Sequence, residues 1–141
     1  MIRRAVIEDA KDLVPLMGDL GYPTSGKQMK ERMKRILEKD DFQTFVWEGD
    51  GRLNGMIGMC YSEAYHTDES HVRIIAFVVE KSKHGNGIGR GLMEKAEQWA
   101  EERGAKTIML NSGNREERQD THDIYRHFGF EGKATGFYKS L

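Results

Sequence analysis

Lys83-His84-Gly85-Asn86-Gly87-Ile88-Gly89-Arg90-Gly91 places four glycines at alternate positions, immediately ahead of a run with helical apolar spacing. Glycine lets the backbone come close to a ligand and turn its N–H groups toward it. A helix start adds unpaired N–H donors and a partial positive charge, so the segment is suited to hold an anion. A P-loop needs Gly, four residues and then Gly-Lys-Ser/Thr, and no such run exists. A dinucleotide fingerprint, Gly-x-Gly-x-x-Gly, meets Arg90 when counted from Gly85 and Leu92 when counted from Gly87, so it fails as well. A merely flexible connection does not account for four glycines opening a helix that would favour alanine. Cys60, the one cysteine, lies in the apolar run Met56–Tyr61; it reads as a small buried hydrophobe and supplies neither a disulfide nor a metal cluster.

The elements that must position this segment follow from periodicity. Residues 2–7 read as a strand, and Glu8 to Leu20 as a helix with Leu13, Val14, Leu16, Met17 and Leu20 on one face, which Pro15 should kink or weaken. Ser25 is placed to cap a second helix carrying Met29, Met33, Ile36 and Leu37. Strands are expected at 42–48 and 53–61, joined by the turn Gly49-Asp50-Gly51. A third, 72–79, is apolar along most of its length, as suits a central strand covered on both faces. Leu92 to Arg103 is amphipathic and stops at Gly104; Lys106–Leu110 reads as a strand, Arg118–Phe128 as a helix and Gly136–Leu141 as a closing strand. The class is mixed α/β: a hairpin-rich first half followed by a β-α-β crossover.

At 141 residues one domain, 1–141, is expected. The net charge of −1 shows no basic excess, and the densest basic stretch, Lys27–Arg35, is interleaved with Met29, Glu31 and Met33, which argues against a nucleic-acid partner. No apolar run approaches the roughly 18 residues of a membrane span, and acidic residues interrupt the N-terminus before a signal core forms, so the cytoplasm is the expected compartment.

His84-Gly85-Asn86-Gly87-Ile88-Gly89 resembles the acetyl-CoA loop of the GNAT superfamily of N-acetyltransferases, Gln/Arg-x-x-Gly-x-Gly/Ala, and departs from it at the first residue. Ile2-Arg3-Arg4-Ala5 with Asp9-Ala10 and Leu13 resembles the family's opening strand and helix. Phe77-Val78-Val79 is similar to the strand segment that holds pantetheine, and His122 to Phe130 to its closing His-x-Phe-Tyr-x-x-x-Gly-Phe. The resemblance implies a central mixed, splayed sheet of about six to seven strands flanked by about four helices. The strands at 77–79 and 106–110 would part into a V around acetyl-CoA.

The same resemblance implies an N-acetyltransferase that moves acetyl from acetyl-CoA directly to a primary amine of a small molecule or protein, with no metal. The expected oxyanion donor is a backbone N–H among Phe77, Val78 and Val79, with Val78 preferred. Tyr125 takes the place of the general acid to the departing thiolate; a phenol, with reference pKa about 10, arrives protonated. The cofactor residues implied are Phe77, Val78, Val79, His84, Gly85, Asn86, Gly87, Ile88, Gly89, Arg90, Asn111 and Tyr125, with Lys83 a further phosphate contact. Asn111 reads equally well as a turn cap, and His122 faces cofactor or substrate or serves the structure. Where many members carry a strand glutamate this chain has Ile75, so no base is transferred, and Glu69, His71 and Glu80 stand nearby as groups acting through water. That departure keeps open an alternative, a non-catalytic acyl-CoA sensor. Tyr22, Tyr61, Tyr65 and Phe137 are candidates to wall the acceptor pocket. A homodimer is compatible with the resemblance, and the acceptor's identity is open.

Overall fold

The computed structural model describes residues 1–111, 125–133 and 136–141. β1 (Ile2–Arg4) leads through a 3-10 turn at Ile7–Asp9 into α1 (Ala10–Leu20). The helix runs on through Pro15, whose missing N–H would have met the carbonyl of Lys11; both residues are exposed, so water can satisfy that oxygen. Gly21, at φ 103°, closes α1, and the Tyr22 N–H donates to Met17 O at 2.9 Å. Ser25 caps α2 (Gly26–Leu37) as expected, its Oγ accepting from the Gln28 N–H at 3.1 Å.

β2 (Phe42–Gly49) and β3 (Arg52–Ser62) form a hairpin. Asp50 and Gly51 at its tip both have positive φ, 57° and 75°, as a two-residue loop matched to strand twist demands. β4 (His71–Val79) follows, then α3 (Ile88–Glu102) and β5 (Thr107–Leu110). The sheet order is β1-β2-β3-β4-β5, antiparallel except for the parallel β4–β5 pair that α3 bridges. Residues 125–127 are helical.

The sheet divides the core in two. Leu13, Leu16, Met29 and Met33 of the first two helices pack on Val46, Met56 and Val78. On the other face Leu92, Met93, Ala96 and Trp99 of α3 pack on Phe45, Ile57, Met59 and Ile74. α3 lies close to the sheet because Gly55 opposes it: a Cβ there would sit 3.0 Å from Leu92 Cδ1, 3.1 Å from Ile88 Cγ2 and 3.2 Å from the carbonyl oxygen of Val78. Gly55→Ala is therefore expected to lower stability by about 1–3 kcal/mol, read from urea unfolding; an unchanged midpoint would show that α3 shifts freely.

Three expectations are corrected. The described residues hold five strands rather than six to seven, because 136–141 form none; Phe137 is 92% exposed and makes no ladder. β4 is not covered on both faces along its length: Arg73 and Ile75 are exposed, since the first two helices reach only its far half. Cys60 is half-buried rather than buried and belongs to neither core cluster.

Candidate functional site

β5 pairs only with the first half of β4, from His71↔Thr107 to Ile74↔Leu110. From Ile75 to Val79, β4 keeps β3 as its one strand neighbour among the described residues. The parting coincides with a bulge. Gly58 pairs with Ala76 and Met59 with Ile74, so Ile75 is the extra residue of β4.

The ladder decides which backbone groups face the gap. The Glu80 N–H donates to Asn54 O at 2.8 Å, and the register runs unbroken from Gly55↔Val79 to Gly58↔Ala76. Antiparallel pairs alternate between bonded and non-bonded, so Val78 spends its N–H and C=O on Met56. Phe77 and Val79 turn theirs to the edge that β5 has left. The preferred expectation, an outward Val78 amide, therefore does not match this geometry, whereas its two neighbours do.

At the end of β4 a carboxylate fixes the exit of the chain. Glu80 accepts from Asn54 Nδ2 at 3.0 Å, from Ser82 Oγ at 2.8 Å and from Arg52 Nη2 at 2.8 Å. These bonds, led by that from Asn54, hold its pKa down to about 2. A carboxylate so engaged takes up no proton near neutral pH, so Glu80 leaves the set of candidate bases. Glu69 is exposed, and His71 sits at the opposite end of β4 from Phe77.

The glycine segment then makes two left-handed steps, Gly85 at φ 85° and Gly87 at φ 80°, the latter capping α3. The first helical bond runs from the Gly91 N–H to Gly87 O, so the N–H groups of Ile88, Gly89 and Arg90 have no partner within the helix. Space is open above Gly85 and Gly87, where an added Cβ would meet nothing within 4 Å. These glycines and this helix start fit an anion laid against them. Gly91 has another reason: a Cβ there would meet Trp47 Cζ3 at 3.0 Å, so this glycine serves packing.

The side chains around the loop are engaged locally. His84 Nε2 lies 2.9 Å from Val79 O, and Lys83 Nζ 3.7 Å from Asp50 Oδ2. Arg90 Nη2 is 3.4 Å from His127 Nε2, with its guanidinium 6.0 Å from the Phe128 ring centre. Asn86 and Asn111 are exposed. Beside the parted half of β4 stands Tyr125, its ring centre 6.5 Å from that of Phe77 and 6.2 Å from that of Phe130. Phe128, 6.5 Å from Phe77, completes an aromatic wall that brings β4 against a segment distant from it in sequence. Ser112, Gly113, Asn114 and His122 lie outside the described residues, as does most of the helix expected at 118–128.

Tyr61 packs against Arg103, 4.7 Å from its ring centre, while Tyr22, Tyr65 and Phe137 are exposed. No group of three His, Cys, Asp or Glu side chains suited to a metal occurs among the described residues, and no helix among them is long and apolar enough to cross a membrane.

Residues 10–130 match the family model described as the acetyltransferase (GNAT) family. The structure superimposes on a GNAT family acetyltransferase of Staphylococcus aureus with a TM-score of 0.85 and 30% identity, covering 100% of this chain and 98% of that one. Among sequence relatives are the uncharacterized N-acetyltransferase YhdJ of Bacillus subtilis, 23% identical over 84% of this chain and 81% of its own length, and the IAA acetyltransferase of Azospirillum brasilense, 26% identical over 79% of this chain and 69% of its own.

Proposed function

This chain belongs to the GNAT family of acetyltransferases, and from that premise we propose that it transfers acetyl from acetyl-CoA directly to a primary amine at the gap between β4 and β5. The observation that carries this reading is the parting of those strands: it leaves the polar groups of Phe77 and Val79 facing the gap, with the Tyr125 ring beside that of Phe77 and the start of α3 following β4.

Acetyl-CoA brings an activated thioester. The N–H groups of Ile88, Gly89 and Arg90, unpartnered within the helix, and the left-handed steps at Gly85 and Gly87 receive its pyrophosphate. Val79, whose backbone faces the gap, pairs with the amide-bearing arm, for which His84 must release Val79 O. The Phe77 N–H donates to the oxyanion that develops on the acetyl carbonyl; loss of such a donor costs a factor of about 100–1000 in rate. Tyr125 gives its proton to the departing sulfur. Ile75 supplies no base, so the amine must react in its neutral form.

A thermal melt tests the cofactor. Acetyl-CoA at about 100 times its dissociation constant should add about 2.7 kcal/mol of stability, and no shift would defeat the reading. Ile75 favours one rival, a sensor that binds acyl-CoA without turnover. Thiol release with a panel of amines separates the two: stabilisation without release with any amine supports the sensor.

A further inference from the structure

On the face occupied by α1 and α2, cover stops part way along β4. Val78 is in the core cluster and Ala76 borders it, but Ile75 is 56% exposed and Arg73 is exposed. Arg73 pairs with Cys60 on β3 and Met109 on β5, and cross-strand partners share a face. Met109 is 38% exposed, and neither it nor Cys60 belongs to a core cluster. Cys60, Arg73, Met109 and Ile75 thus make a floor across three strands. It runs up to the point where β5 leaves β4, next to the outward backbone of Phe77.

The floor carries one charge. Arg3, Arg52 and Arg103 each hold a carboxylate, whereas Arg73 has no acidic partner among the described residues. A guanidinium presents a planar fork that matches a carboxylate. Ile75 has the opposite effect on a cation: it offers an ammonium no charge and strips its water without return.

We propose that the acceptor, on the reading of the preceding subsection, is a weakly basic amine carrying a carboxylate. Its body lies on Ile75 and Met109, its carboxylate meets Arg73, and its amine points toward the Phe77 edge. The four residue steps from Arg73 to Phe77 cover about 13 Å of strand. The arginine side chain and the acetyl group take up part of that span and leave a spacer of about one aromatic ring. In the transfer the amine nitrogen bonds the acetyl carbon and the C–S bond breaks with its electron pair on sulfur. One proton leaves nitrogen and one reaches sulfur.

The test compares 4-aminobenzoate, the uncharged 4-aminobenzamide and the strongly basic 4-(aminomethyl)benzoate as acceptors. The kcat/KM for 4-aminobenzoate should exceed that for 4-aminobenzamide about tenfold or more, the advantage of a charge-assisted bond. Arg73→Met should collapse that ratio, and Ile75→Glu should move preference toward 4-(aminomethyl)benzoate. Equal rates for acid and amide, or a ratio that survives Arg73→Met, overturn the proposal. If acetyl-CoA stabilises the protein yet no amine releases thiol, catalysis has failed and the acceptor site is judged by calorimetry on CoA-saturated protein. Binding of 4-aminobenzoate that Arg73→Met abolishes sustains it, and no binding overturns it. If acetyl-CoA gives no stabilisation, the cofactor reading falls and this inference with it.

Discussion

Replacing Tyr125 with phenylalanine is expected to lower kcat about 100-fold while the KM for acetyl-CoA changes only a few-fold, because one hydroxyl is removed and the ring is kept. The ring packs between Phe77 and Phe130, so phenylalanine preserves the apolar wall and the fold is expected to survive. The lost hydroxyl should leave the thiolate to depart unprotonated, a cost that falls on the transition state rather than on binding. Steady-state thiol release across pH is the measurement. In the wild type the rate should fall on the alkaline side as the acid loses its proton, and Tyr125→Phe should lack that limb. A loss of less than about fivefold, or an alkaline limb that persists, would remove Tyr125 from the role of acid and leave it a packing residue.

The second large effect concerns stability. Arg3 of β1 donates to both oxygens of Asp9 at 2.8 Å and to Glu48 of β2 at 3.0 Å, tying the first strand, the turn before α1 and the second strand together. Asp9 is 5% exposed, and with Arg3 gone it would keep only the bond from the Val6 N–H at 2.8 Å. Breaking a buried pair by removing one partner costs about 3–5 kcal/mol; here solvent reaches the arginine, and about 2 kcal/mol is expected for Arg3→Met. Arg3→Lys, which keeps the charge but not the fork, should fall between.

The same pair sets a pH dependence. The hydrogen bonds from Arg3 hold the pKa of Asp9 below its ordinary value, against the opposing effect of burial. A carboxylate with a lowered folded pKa contributes stability that is complete above its unfolded value, about 3.9, and lost as pH falls through the folded one. The gap between wild type and Arg3→Met in urea unfolding should therefore be widest near neutrality and narrow below about pH 4. Parallel curves would mean that Asp9 is not what Arg3 stabilises.

What the sequence by itself determined is local. Helical spacing placed α1, α2 and α3, Ser25 marked a cap that its own side chain makes, and the turn at Asp50-Gly51 needs the positive φ that those residues tolerate. The backbone of the glycine segment was legible for the same reason, since left-handed steps at Gly85 and Gly87 and a helix start are properties of a few consecutive residues. Tertiary structure decided everything that depends on a partner strand. Val78 and Phe77 are adjacent and both apolar. Only the β3–β4 register shows that Val78 bonds inward and Phe77 faces the gap, because alternation has no phase until a neighbour supplies one. Pairing likewise made Ile75 a bulge at the mouth of the gap and left 136–141 without a ladder. Gly91 shared the spacing of Gly85 and Gly87, yet it is small because Trp47, 44 positions earlier, occupies the space. A pattern of residue types records what each residue can do; which neighbour it meets is a long-range fact that only the folded chain contains.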